Sequence, residues 1–270
     1  MTAETKSLPT KTPAAKPFGD LLREWRQRRR ISQLALAADA EISTRHLSFV
    51  ETGRAQPSRE MVLHLADQLG VPLRERNVLL VSAGYAPLFL ERRLDDPAMV
   101  AARQAIDLLL AAHEPYPAFA IDRHWNLVAQ NRAVAPLLAG VGAVLLTPPV
   151  NVLRLSLHPD GLSSRIANLA EWRAHLLERL HRQIDVSGDA RLGELMQEIW
   201  EYPGSARPAA TKTPQPDIVV PLRLRTENGV LSFLSTTTVF GTPVDITLSE
   251  IALETFFPAD ATTAAMLRGG

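Results

Sequence analysis

The stretch from Ser32 to Ser58 constrains this chain most, because its serines and its glycine mark the ends of short helices. Ser32, Ser43 and Ser58 each precede a run of residues that favours a helix. A serine hydroxyl at such a position accepts a hydrogen bond from an otherwise unpaired amide of the first turn. Gly53 adopts positive φ without steric cost, which suits the end of the second helix. The spacing predicts a helix-turn-helix with its turn at residues 40–42.

The second helix of this pair keeps short hydroxyls and long donors near its N-terminus after its apolar positions are assigned to a core. That chemistry suits base edges in a major groove, whereas the alternative is a solvated polar face. We expect base contacts from Thr44, Arg45, His46 and Ser48. We expect the phosphate backbone to be contacted by Gln33, Arg54 and Ser58.

The segment resembles the DNA-binding domain of the XRE (lambda-repressor-like) family, with SQLALA at its start and ETGRAQPS at its close. That resemblance implies five helices around one small core. One departure concerns the turn, where Glu41 stands in place of the glycine that is usual in the family. If Glu41 adopts positive φ, the strain costs on the order of 1 kcal/mol.

The two parts of the chain differ in net charge, and the part that contains the helix-turn-helix motif is the basic one. Residues 1–93 hold 15 Lys and Arg against 10 Asp and Glu, whereas residues 94–270 hold 14 against 19. A basic first part suits phosphate contact, and an acidic remainder suits a domain that stays off the duplex. The chain has no cysteine, which excludes disulfides and fits a reducing cytoplasm. We find no signal-peptide pattern and no long apolar span, so we expect a cytoplasmic protein without membrane segments.

The second half changes from helical to strand patterns. Short apolar runs at residues 118–121 and 127–130 predict a hairpin-like pair, and several amphipathic helices follow. Leu222 and Leu224 then alternate with Arg223 and Arg225, and Asn228-Gly229 is a hairpin turn signal. The order predicts an α+β domain whose antiparallel sheet has its helices gathered on one face, a PAS-like layout.

This half resembles the ligand-binding domain of MmyB-like transcription regulators, on VNVLRLSLHPDGL, NLAEWRAHLLERL and the closing FFPAD. Together the two resemblances cover roughly residues 17–260. The second implies a small apolar ligand, with a fatty acid or other acyl-type molecule as the first choice. We expect the division to be a disordered tail at 1–16, the helix-turn-helix domain at 17–84, a linker at 85–96, the PAS-like domain at 97–260 and a C-terminal tail at 261–270.

A cavity between a sheet and its helices is a common ligand site, lined by apolar groups with a few polar ones. The apolar lining is predicted to be Phe119, Trp125, Trp172, Phe233 and Phe240. Three residues are candidates to meet a polar head group: Asn151, Arg154 and His158. Aromatic stripes are also common in closed cores, so a filled core remains the alternative for these positions.

Catalytic and metal-binding patterns do not emerge from the sequence. The seven histidines include no pair three or four residues apart, and no nucleophile or phosphate-loop motif is present. We therefore expect a regulator without catalytic activity, resident metal or cofactor, which binds double-stranded DNA as a homodimer. The alternative is a DNA-binding regulator whose second domain only dimerises or docks a partner protein.

Overall fold

The computed structural model describes residues 16–203, 220–241 and 243–268, and the chain divides into two compact units, Met1–Phe89 and Leu90–Gly270. The tail predicted at 1–16 lies outside the described residues except for Lys16. The predicted linker at 85–96 does not separate the units as a free segment. Tyr85 donates to the Pro57 carbonyl and the Phe89 amide donates to Asn77, so residues 85–89 join the first unit.

Five helices form the first unit, as the resemblance implied: α1 (Phe18–Arg28), α2 (Gln33–Asp39), α3 (Thr44–Glu51), α4 (Arg59–Gln68) and α5 (Leu73–Ser82). The three predicted serine caps are confirmed. Ser32, Ser43 and Ser58 accept from backbone amides at 3.0, 3.1 and 3.2 Å. Each cap pairs one amide that the helix itself leaves unpaired.

The core of the first unit is built from leucines of all five helices, including Leu22, Leu36, Leu47, Leu65 and Leu79. The first and third helices approach closely at Gly19. A Cβ at that position would lie 2.4 Å from the Glu51 carbonyl oxygen, nearer than any real Cβ contact. Glycine therefore allows α1 to pack against the end of α3.

The second unit begins with a 3-10 turn at Pro97–Met99 and α6 (Val100–Ala112), followed by β1 (Ala118–Ile121) and β2 (Leu127–Gln130). Next come 3-10 helices at Ala135–Leu138 and Ala143–Leu146, α7 (Val152–Leu157), a 3-10 turn at Ser163–Arg165, α8 (Leu169–Ser187) and α9 (Ala190–Glu201). The chain closes with β3 (Leu222–Thr226), β4 (Gly229–Val239), α10 (Ile246–Ser249), β5 (Ala252–Pro258) and α11 (Ala261–Arg268).

The five described strands form one antiparallel sheet in the order β2-β1-β5-β4-β3. Its inner face carries Leu222, Leu224 and Phe233 against α8 and α9. The predicted alternation of β3 is confirmed, since Leu222 and Leu224 are buried and Arg223 and Arg225 are exposed.

The helices do not all gather on one face of the sheet, contrary to the prediction. Ile106 and Leu110 of α6 pack on the opposite face, against Ala118 and Ala120 of β1. The reason is that β1 is apolar on both faces, so the small alanine face also needs cover. The sheet is therefore the middle layer of the second unit.

Two further expectations are corrected. Residues 261–268 of the predicted tail form α11, in which Thr263 is fully buried and its hydroxyl accepts from the Ser232 amide at 3.0 Å. In the β3–β4 hairpin Thr226 pairs with Gly229, so residues 227–228 form the turn rather than Asn228-Gly229. Within the described chain, no helix combines the length and apolar character that a membrane span requires.

Candidate functional site

The helix-turn-helix is formed by α2 and α3, and the residue of its turn that replaces the usual glycine has positive φ. Glu41 lies at φ 53°, in the left-handed region that glycine occupies without cost. Its side chain is exposed, so no buried contact of that side chain stabilises the conformation. The local strain expected from the missing glycine is present in the turn.

The N-terminal turn of α3 presents the side chains predicted to read bases. Thr44 and Arg45 are exposed, while His46 and Ser48 are half-buried. The Arg45 guanidinium lies 5.3 Å from the centre of the Phe49 ring, one helical turn further on. This cation–π contact holds the exposed guanidinium against the ring of Phe49.

Of the residues predicted to contact phosphate, Arg54 is exposed just beyond α3. Ser58 is also exposed, and its oxygen is engaged as the cap of α4. The side-chain amide of Gln33 donates to Glu51 Oε2 at 2.7 Å. Since that amide group carries two hydrogens, one donor stays available for a phosphate.

A buried ion pair supports this surface from below. Glu51 is 1% exposed. Its two carboxylate oxygens accept hydrogen bonds from Arg26 at 2.6 and 2.9 Å, and one of them also accepts from Gln33. Burial raises the pKa of Glu51, but the hydrogen bonds from Arg26 and Gln33 and the charges of Arg26 and Arg23 outweigh it, so the pKa lies below its ordinary value. The network joins α1, α2 and α3.

The network was not predicted from the sequence. Glu51 follows Leu47 by one helical turn, which places it on the inward face of α3, and this spacing was the available signal. An acidic residue on an inward face needs a buried cation, and Arg26 at the end of α1 supplies it.

The second unit contains a cavity of about 100 Å³ between the inner face of the sheet and its helices. Its wall consists mostly of leucines and aromatic rings from β1, the 3-10 helix at Ala135–Leu138, α7, α8 and strands β3–β5. Gln130, exposed at the end of β2, stands at its outer side. A concave site with such a lining is of the kind that takes an apolar small molecule.

Four of the eight predicted ligand residues line this cavity: Phe119, Trp125, Trp172 and Phe233. Both tryptophans have a partner for their indole N–H. Trp172 donates to the Ser156 hydroxyl at 3.0 Å and Trp125 donates to Gln183 at 2.7 Å. Trp125 lies at φ 66°, an uncommon conformation for a bulky residue. These contacts fix the two rings as part of the wall.

The other four predicted ligand residues do not line the cavity. Phe240 packs with the cluster on the opposite face of the sheet. Asn151 is buried as the cap of α7, accepting from the Leu153 and Arg154 amides at 3.1 and 3.2 Å. The placement of Asn151 follows from local structure, because Asn is a preferred helix cap, and Phe240 lies just past the end of β4, where it joins the opposite cluster.

Arg154 and His158 belong to a separate polar cluster. Arg154 grips both carboxylate oxygens of Glu198 at 2.7 and 2.6 Å, and this holds the pKa of Glu198 below its ordinary value. Tyr202 donates to Glu198 at 2.5 Å, and the His158 ring packs edge-on against the Tyr202 ring. The cluster ties α7 to α9, and none of its members is available to a ligand in the cavity.

Among the described residues that line the cavity, the charged ones are Arg179 of α8 and Glu254 of β5, neither of which was predicted from the sequence, and Gln130 and Ser156 are polar but uncharged. Arg179 donates to the two carboxylate oxygens of Glu254 at 2.6 and 3.2 Å. The available signals were positional. Arg179 follows the inward Leu176 by three residues, and Glu254 stands between the inward-facing Ala252 and Phe256.

A metal centre is not indicated by the described residues, which contain no group of three or more His, Asp or Glu arranged to hold an ion. The described residues form an exposed polar helix face on α3 and an apolar cavity in the second unit. A helix-turn-helix with such a face, followed by a unit with such a cavity, defines the class of ligand-binding transcription regulators.

Comparison with known families agrees with that class and gives the family. The profile of a helix-turn-helix domain matches residues 17–79, and that of the MmyB-like transcription regulator ligand binding domain matches residues 102–269. The chain belongs to the MmyB-like transcription regulators. Among curated proteins, none matches it significantly. Both matched families are regulatory rather than enzymatic.

Proposed function

We propose that this protein regulates transcription by binding an operator through α3 and by changing its operator affinity when a small apolar molecule enters the cavity of its second domain. The ligand that we propose is an acyl-type molecule, the class that includes fatty acids and their neutral derivatives. The observation that carries the proposal is the cavity between the sheet and its helices, lined by leucines and aromatic rings.

The size of the cavity bears on the ligand. An engineered apolar cavity of about 150 Å³ holds benzene, so the smaller cavity of about 100 Å³ in this structure suits a short run of methylenes. A longer acyl chain needs the wall to move. The 3-10 helix at Ala135–Leu138 is the part of the wall best suited to move, because it contributes Leu137 and Leu138 and contains no buried residue.

On the DNA side, we propose that α3 lies in the major groove with Thr44, Arg45, His46 and Ser48 against base edges. Gln33, Arg54 and Ser58 contact phosphates and set the register. A homodimer would place two such helices about 34 Å apart, one turn of the duplex. Acting on DNA, the protein would work in the cytoplasm.

Native mass spectrometry of the purified full-length protein tests the ligand proposal, because a co-purified molecule reveals its own mass. Leu176→Trp fills the cavity from α8 and should abolish binding. Leu108→Trp is the matched control, since Leu108 is 71% exposed on α6 and lies outside the cavity. A ligand retained by both variants would show that the cavity is not the site.

The alternative, a second domain that only dimerises or docks a partner, requires a filled core. The cavity favours the ligand-binding function over it. If the protein binds no apolar probe, and if Leu176→Trp raises its stability without changing its DNA affinity, the docking function would be the better description.

A further inference from the structure

The two charged residues of the cavity wall, Arg179 and Glu254, form a polar cluster with Thr237 of β4. Besides its two bonds to Glu254, the Arg179 guanidinium donates to the Thr237 hydroxyl at 3.0 Å. Thr237 in turn donates to Glu254 Oε1 at 2.9 Å. The guanidinium also lies 4.9 Å from the centre of the Trp125 ring, so it is held on both sides.

The charges of this cluster are balanced. Among the described residues that line the cavity, Arg179 is the one cation and Glu254 the one anion. Glu254 is 2% exposed, and the Arg179 side chain is 20% exposed. A buried pair of this geometry leaves no net charge to attract an ion, and separating it would strand a carboxylate away from water.

A ligand head group beside this pair therefore meets hydrogen-bond donors, on Arg179, and hydrogen-bond acceptors, on Glu254, at the same time. An ionised carboxylate could accept from Arg179, but it would stand beside the buried Glu254 carboxylate, and like charges at that distance disfavour each other. An uncharged hydroxyl or amide can accept from Arg179 and donate to Glu254. Glu254 Oε2 accepts one bond among the described residues and has room for another.

We propose that the cavity selects ligands with an apolar chain and an uncharged hydrogen-bonding head, such as an acyl amide or the corresponding alcohol, over the free carboxylate of the same chain length. Glu254 is the residue that sets this preference, because its carboxylate already balances the charge of the Arg179 guanidinium. The proposal rests on the proposed function, since it names the head group of the ligand in the same cavity.

The test compares two probes of equal length, 1-octanol and octanoate, on delipidated full-length protein near neutral pH, where octanoate is ionised. Isothermal titration calorimetry should give the alcohol an affinity about tenfold or more above that of the carboxylate. Glu254→Gln removes the competing charge while preserving the shape of the side chain. The variant should gain octanoate affinity by about tenfold or more and keep its octanol affinity within a few-fold.

Thr236→Val is the matched control. It removes one hydroxyl from the same strand, but Thr236 bonds Thr255 and does not line the cavity, so the preference for octanol should persist. If Glu254→Gln fails to fold, the comparison on the native protein still decides the matter. Octanoate bound as tightly as octanol by the native protein would overturn the head-group proposal and leave the proposed function standing. Binding of neither probe would contradict both.

Discussion

Replacing Glu51 by alanine tests whether the buried ion pair supports the DNA-binding unit. The substitution removes the partner of two Arg26 hydrogen bonds, at 2.6 and 2.9 Å, and of the Gln33 bond at 2.7 Å. Arg26, whose side chain is only 11% exposed, keeps its bond to the Ile31 carbonyl and loses its counter-charge. Stranding a buried charge costs about 3 to 5 kcal/mol.

That loss is large for a unit of this size. A domain of about 70 residues has a total stability of about 4 to 10 kcal/mol, so Glu51→Ala removes a substantial part of it. Hydrogen exchange followed by mass spectrometry on the full-length protein reads peptides of α1 and α3 separately from the second unit. Their exchange should accelerate by about 100-fold or more, while the peptides of β4 and β5 should not change.

The matched control is Glu24→Ala, which breaks an ion pair with Lys16. Glu24 lies on α1, the helix that also carries Arg26. The two side chains of that pair are 62% and 46% exposed, and exposed pairs contribute at most about 1 kcal/mol. Equal acceleration by the two variants would refute the argument, because it would mean that burial of the Glu51 pair has no energetic consequence.

Three further predictions concern the same unit. Glu41→Gly should raise its stability by about 1 kcal/mol, since glycine removes the strain at φ 53°, and a lower midpoint in chemical unfolding would contradict this. Arg45→Ala should weaken operator binding by about 1 to 3 kcal/mol and leave random-sequence DNA little affected, as band-shift titrations would show. The folded-state pKa of Glu51 lies below its ordinary 4.5. Its contribution to the free energy of unfolding should therefore be complete at pH values above the unfolded pKa and disappear as the pH falls through the folded pKa. Glu51→Gln should flatten that part of the stability–pH profile.

Local sequence patterns predicted much of the secondary structure of the first unit. Three serine caps, a glycine and the spacing of the leucines fix where each short helix begins and ends, because those signals act over a few residues. The unusual turn at Glu41 was identifiable for the same reason. The Arg26–Glu51 pair was not, since it depends on how three helices pack.

The second unit shows where such patterns stop. Four of the five predicted aromatic residues line the cavity, because large apolar side chains in a sheet-and-helix layer face the interior. They did not distinguish the interior from the α6 face, which is why Phe240 was misplaced. Polar residues were selected by their chemistry, yet Asn151, Arg154 and His158 are engaged in capping and cross-helix contacts. Arg179 and Glu254 meet only because β5, far along the chain, lies beneath α8.

The most direct test of the proposed switch is the affinity for operator DNA as a function of ligand, measured by fluorescence anisotropy with an operator selected from random sequences. Saturating ligand should change the operator affinity of the native protein by about 5- to 150-fold. Leu176→Trp, with its cavity filled, should bind operator without responding. An unchanged operator affinity of the native protein at saturating ligand would contradict the account, because the two domains would then bind their partners independently.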